Sequence, residues 1–208
     1  MLSRLIDHPI SAVVVVFLAG IVGSASVSMN HSMGWDEAMH LGAPAAQISQ
    51  ALGDGELREA INVVLSCERY PPMGPAIHGV IGWAFGSDEL LMRQTQRWFW
   101  ALGLLGIFLL ARSATQPDED DEPSPGTRGA PWMALALLAM SPLALAFGGT
   151  LFIEPIFSAF GTLAVAAWIV RCRTDSARWD FVAGVLLAAS LFTKWNYGLL
   201  LGGALAVD

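Results

Sequence analysis

QRWFWALGLLGIFLLAR, residues 96–112, is apolar between its outer arginines. It approaches the roughly 20 residues that an α-helix needs to cross a bilayer. Three more stretches approach the same length: Pro9 to Met29, Pro131 to Gly149 and Pro155 to Val170. A fifth runs from Phe181 to Thr193, and a sixth begins at Gly198 and stops at Asp208, too short to span. The 208 residues are 54% hydrophobic and only 14% charged, with a mean hydropathy of +0.54. A soluble domain usually carries about a quarter charged residues. The sequence therefore predicts an all-α, polytopic transmembrane helix bundle, the amino-terminal part of one domain that continues beyond residue 208. The first stretch also admits reading as a cleaved signal peptide, with Arg4 before it and Ser24-Ala25-Ser26 near its end. Both readings send the following residues to the external side.

Positive charges orient the chain. Arg4 precedes the first span, Arg112 and Arg128 flank the loop 113–130, and Arg171, Arg173 and Arg178 fill the loop before the fifth span. Cytoplasmic placement of all three groups obeys the positive-inside rule. Outside then lie the loop 30–95, the turn at Glu154 and the Lys194 region. The net charge of −7 comes largely from Asp118-Glu119-Asp120-Asp121-Glu122 in the cytoplasmic loop, where Pro117, Pro123 and Pro125 favour a solvated linker. No basic patch fits nucleic acid. In the external loop, residues 44–52 and 57–65 read as short amphipathic surface helices around the turn Gly53-Asp54-Gly55. Residues 71–86 hold Pro72, Pro75 and His78 and read as a helix at the outer interface. Cys67 and Cys172 fall on opposite sides, so no disulfide is expected between them.

Chemistry gathers at the external level. Trp35-Asp36-Glu37 sets two adjacent carboxylates just after the first span, able to serve as catalytic groups or simply to favour a helix start near Ala38. Glu154-Pro155 suits the first turn of the fourth span, and Glu154 equally suits metal binding or the orientation of an acceptor. Lys194 is the only lysine and stands beside Trp195 and Tyr197, as a snorkelling anchor would. Arg93 and Arg97 share one helical face and fit an anionic headgroup or a phosphate, or plain interfacial anchoring. The four histidines have no zinc-like spacing.

The order of these elements resembles the multi-pass, lipid-linked-sugar glycosyltransferases of the GT-C class, which include protein O-mannosyltransferases and the aminoarabinose transferase of lipid A. The order is Trp35-Asp36-Glu37, surface helices, Tyr70-Pro71-Pro72-Met73, Arg93, Ser141-Pro142, Glu154-Pro155 and Phe192-Thr193-Lys194. The resemblance implies Asp36 as catalytic base with Glu37 beside it. It also implies a donor-phosphate contact among Arg69, Tyr70, Arg93 and Lys194, and Glu154 as an acceptor- or metal-orienting acid. Tyr70 stands where the family commonly has histidine or lysine. The implied donor is a polyprenyl-phosphate sugar, the acceptor a hydroxyl of a protein, lipid or glycan, and the outcome inversion. Such a donor suits an outward-facing site on a bacterial inner membrane, since nucleotide sugars stay in the cytoplasm. No cofactor is fixed, and a divalent metal is left open. A transporter or flippase and a non-catalytic scaffold are the competing classes. No acid or base lies in the interior of an expected span, which counts against transport. Without later spans to enclose a donor, the 208 residues alone are expected to be inactive.

Overall fold

The computed structural model describes residues 9–25, 41–67, 71–115, 125–141 and 154–206. These residues form nine α-helices and no strand. Helix α1 is Pro9–Ala25, α2 Ala43–Gly53, α3 Leu57–Leu65, α4 Met73–Phe85 and α5 Glu89–Thr115. After these come α6 at Pro125–Ala139, α7 at Glu154–Thr174, α8 at Ala177–Leu191 and α9 at Trp195–Ala206.

The helix containing the stretch 96–112 starts earlier than hydropathy predicts. The Asp88 carboxylate accepts a hydrogen bond from the Leu91 backbone N–H at 2.8 Å, satisfying one of the donors that a helix start leaves unpaired. Glu89 in the first turn then meets the positive end of the helix. Helix α5 thus gains a polar turn containing Arg93 and Gln96. In the same way α6 begins at Pro125, inside the stretch read as a solvated linker. Helix α8, at the fifth apolar stretch, is Ala177–Leu191 rather than residues 181–193.

Packing fixes the directions of six helices. Gly20 and Gly23 of α1 lie against Trp98 and Arg97 of α5, while Ala12 and Val16 join Leu104 and Phe108 in one apolar cluster. Helices α1 and α5 are therefore antiparallel. Helix α6 returns beside α5, with Trp132 edge-on to Phe108 at 4.9 Å and Thr115 donating to the Thr127 carbonyl at 3.4 Å. Helix α7 runs parallel to α5, since Gly103 lies by Ser158 and Ala159 and Gly106 by Thr162 and Leu163. Helix α8 runs back along α7, with Ser190 near Gly161 and Asp180 bound to Arg171 at 2.7 Å. Helix α9 reverses again, placing Tyr197 against Phe157 and Leu201 beside Gly161.

Alternation gives the bundle two unlike ends. The arginine-rich end holds Arg112, Arg128, Arg171, Arg173 and Arg178. The opposite end holds the starts of α5, α7 and α9, the close of α1, and the surface helices α2 to α4. There Gly79 of α4 lies so near Ile48 of α2 that a Cβ would come within 2.5 Å of its Cγ2. Helix α3 leaves Leu57, Ile61 and Leu65, one turn apart, exposed along one face. Among the described residues two helices, α5 and α7, are long and apolar enough to cross a membrane, with 33% and 39% of their apolar windows buried. Helices α1, α6, α8 and α9 also expose large apolar side chains outward, among them Phe17, Leu137, Phe181 and Leu200.

The parallel pair α5–α7 depends on Gly106. A Cβ there would overlap the Thr162 side chain and crowd the Leu163 backbone, and close approach through small residues is a common way for helices to pack in lipid. Gly106→Leu is expected to destabilise the fold by about 1–3 kcal/mol, measured as denaturant unfolding in detergent. A Gly103→Ala change, whose Cβ would meet only ordinary contacts at 3.6 Å and beyond, is expected to cost far less.

Candidate functional site

The turn between α8 and α9 is built by hydrogen bonds that fold the chain back on α8. The N–H groups of Phe192 and Lys194 donate to the carbonyls of Ala188 at 2.8 Å and Ser190 at 3.0 Å. The fully buried Thr193 donates its hydroxyl to the Ala189 carbonyl at 2.7 Å. With Thr193 turned inward, Lys194 reaches α7 and donates from Nζ to Glu154 Oε1 at 2.6 Å. The same ammonium stands 4.5 Å from the centre of the Tyr197 ring, where ring quadrupole and carboxylate both stabilise the cation. Glu154 opens α7 and its side chain is 43% exposed, against 19% for Lys194. Its second oxygen, Oε2, is buried and has no hydrogen-bond partner among the described residues.

A third stretch joins this pair. The Met73 N–H, just after Pro71-Pro72, donates to the Phe192 carbonyl at 3.0 Å. Proline leaves Pro71 and Pro72 without N–H donors and fixes their φ, so Met73 is the first N–H after the pair able to make the tie. Segments around residues 72, 154 and 193 thus meet, although more than 100 residues separate the first from the last.

Arg93 sits at the same end of the bundle but in a different setting. It is buried at 4% exposure and bound through Nε and a terminal nitrogen to Glu89 Oε1 at 2.8 and 2.7 Å. One turn on, Gln96 lies 3.0 Å from His78 Nε2 of α4, with both residues buried. Burial pushes the His78 imidazole down to about 4, so it is neutral near neutral pH. With Gln96 assigned as donor to Nε2, the His78 proton rests on Nδ1. His78 Nδ1 and Gln96 Oε1 have no hydrogen-bond partner among the described residues.

Of the residues expected from the sequence, Glu154 and Lys194 are brought into contact. Arg93 pairs with Glu89 instead, so of the expected cations the two among the described residues, Arg93 and Lys194, each stand against a carboxylate. Asp36, Glu37, Arg69 and Tyr70 lie outside the described residues. Helix α1 closes at this end of the bundle, and Leu41 packs with Met92, the residue before Arg93. Among the described residues no three of His, Cys, Asp and Glu gather as metal ligands, and Glu154 pairs with a cation. Cys67 and Cys172 are free thiols, and burial pushes the Cys67 thiol up. Sequence reasoning missed the buried His78–Gln96 pair. The visible signal was a lone histidine on an otherwise apolar helix; its partner is set by packing.

The His78 shift carries a pH dependence. The ordinary value of 6.5 falls to about 4 on folding, so between these values the unfolded chain binds more protons. Stability is then fully present above about pH 6.5 and declines as pH falls toward 4, by on the order of 3 kcal/mol. Unfolding followed across this range should show that slope in the natural protein and lose it in His78→Gln.

No protein-family model, no curated protein and no solved structure matches this chain.

Proposed function

We propose that this chain belongs to a polytopic membrane glycosyltransferase that moves a sugar from a polyprenyl-phosphate donor to an acceptor hydroxyl at the non-cytoplasmic face. The observation that carries the reading is the Lys194–Glu154 ion pair tied through Phe192 to the Pro71-Pro72-Met73 turn. Three of the stretches that carry the resemblance to the lipid-linked-sugar transferases thereby come together in space. The alternating helices, their apolar outer faces and the arginine-rich end support a multi-pass arrangement with that end in the cytoplasm. The low burial of α5 and α7 supports it too, since the core helix of a soluble protein is mostly buried.

In this reaction Asp36 takes the proton of the acceptor hydroxyl as its oxygen attacks the anomeric carbon. The bond from that carbon to the phosphate oxygen breaks, and its electron pair leaves with the polyprenyl phosphate. One displacement inverts the anomeric centre. Lys194 meets the leaving phosphate, and Glu154 holds its ammonium in place until the donor arrives. A preorganised cation aimed at developing charge is the strongest contribution a protein makes to such a step. Arg93, held by Glu89 at the start of α5, is the second cation assigned to the donor phosphate, and Glu37 follows the base in the sequence. Arg69 and Tyr70 precede the proline pair in the sequence, and the resemblance assigns them to the same phosphate.

The topology is tested with the two natural cysteines. In intact cells a membrane-impermeant maleimide should modify the Cys172→Ser protein at Cys67. The Cys67→Ser protein should react at Cys172 only after permeabilisation, and the reverse pattern would invert the orientation. The chemistry is tested in membranes carrying the full natural gene product, with a polyprenyl-phosphate sugar as donor. Asp36→Asn should lower turnover about 10²- to 10⁴-fold with donor binding retained. Lys194→Met should lower it by about 10²-fold or more. Full turnover in Asp36→Asn would remove the base from the mechanism.

A further inference from the structure

A cavity of about 160 Å³ opens at the arginine-rich end between α5, α7 and α8, far from the Lys194–Glu154 pair. Its wall is apolar, formed by Leu109, Leu163, Val170, Val182 and Leu186 with Trp179 at the rim. Trp179 and Val182 are 37% and 36% exposed, so the space opens outward through α8 rather than into the bundle. Phe181 and Val185 of the same helix face outward as well. Lining atoms with nothing opposite them lose dispersion contacts, and a hydrocarbon chain restores these without bringing in a polar group.

Charge identifies the kind of chain. Among the described residues this end holds five arginines, Arg112, Arg128, Arg171, Arg173 and Arg178, against two acids, Asp175 and Asp180, within a protein of net charge −7. Arg171 is held by Asp180 at 2.7 Å and lies over the Trp168 ring. Arg178 is exposed and directly precedes Trp179 in the first turn of α8. Basic pockets between membrane helices on the cytoplasmic side suit anionic headgroups, and an amphipathic indole ring suits headgroup level.

We propose that this cavity holds one acyl chain of an anionic phospholipid from the surrounding bilayer, with the lipid phosphate at Arg178 beside the α7–α8 turn. The inference rests on the membrane part of the proposed function and is independent of glycosyl transfer. A chain seated there fills the gap left where α5, α7 and α8 part, and the headgroup partly neutralises the arginines. The lipid thus joins the three helices at the end opposite the candidate site.

Native mass spectrometry of the full natural gene product tests this. The protein is released from bilayers containing phosphatidylglycerol and phosphatidylcholine with identical acyl chains. One phosphatidylglycerol is expected to remain bound in preference to phosphatidylcholine. Arg178→Ala should reduce that preference about fivefold, the effect of one basic side chain near an anionic surface. Val182→Trp should fill the cavity and reduce retention of either lipid, and Leu186→Phe does the same from the next turn if the first variant fails to fold. Equal retention of both headgroups, or retention unaffected by filling the cavity, would overturn the proposal. The acidic residues Asp118 to Glu122 follow α5 in the sequence, and neutralising them should leave the preference intact. Phosphatidylglycerol binding only after their neutralisation would overturn it. Loss of transferase activity does not enter these readouts, whereas failure of the cysteine-labelling pattern would sink both readings.

Discussion

The parallel approach of α5 and α7 is the constraint on which the rest of the structure depends. Two parallel helices in direct contact require the chain between them to travel back, and α6 supplies that return. Gly106 permits the approach because no side chain stands between its backbone and Thr162. The parallel register brings the starts of both helices, with Arg93 and Glu154, to one end of the bundle. The arginines at their carboxyl ends gather at the other. Separating this one pair would disperse both the candidate site and the cavity.

Each end uses polar groups differently. At the candidate site the cations are already matched by acids: Lys194 by Glu154 and Arg93 by Glu89. A paired charge costs less to hold near an apolar surface than a lone one, which explains how they persist beside aromatic and aliphatic side chains. An anion entering there would compete with a carboxylate for Lys194 rather than meet a bare cation. At the arginine-rich end the arginines outnumber the acids among the described residues, and the neighbouring cavity is apolar. The first arrangement suits a ligand that comes and goes; the second suits one that stays.

The apolar helices were legible in the sequence because a long helix with an apolar surface has a length and a composition that local counting detects. The surface helices at 44–52 and 57–65 were legible for a similar reason, through periodicity and the turn at Gly53-Asp54-Gly55. Helix ends were less so. The true start of α5 is set by Asp88 accepting from the Leu91 N–H and by Glu89 bridging to Arg93, local polar contacts that a hydropathy count scores as loop. The shared level of Glu154 and Lys194 followed from counting charges between spans, but the 2.6 Å bond between them did not.

By itself the sequence determined that the chain is helical, that long apolar stretches alternate with charged turns, and which turns carry arginine. These are properties of single segments, fixed by composition and period. Only the tertiary structure decided that Met73 ties to Phe192, that Lys194 closes on Glu154, that His78 is buried against Gln96 and that three helices part to leave a cavity. Those depend on register and close approach between segments far apart in the chain, which small residues such as Gly79 and Gly106 permit and no local pattern encodes.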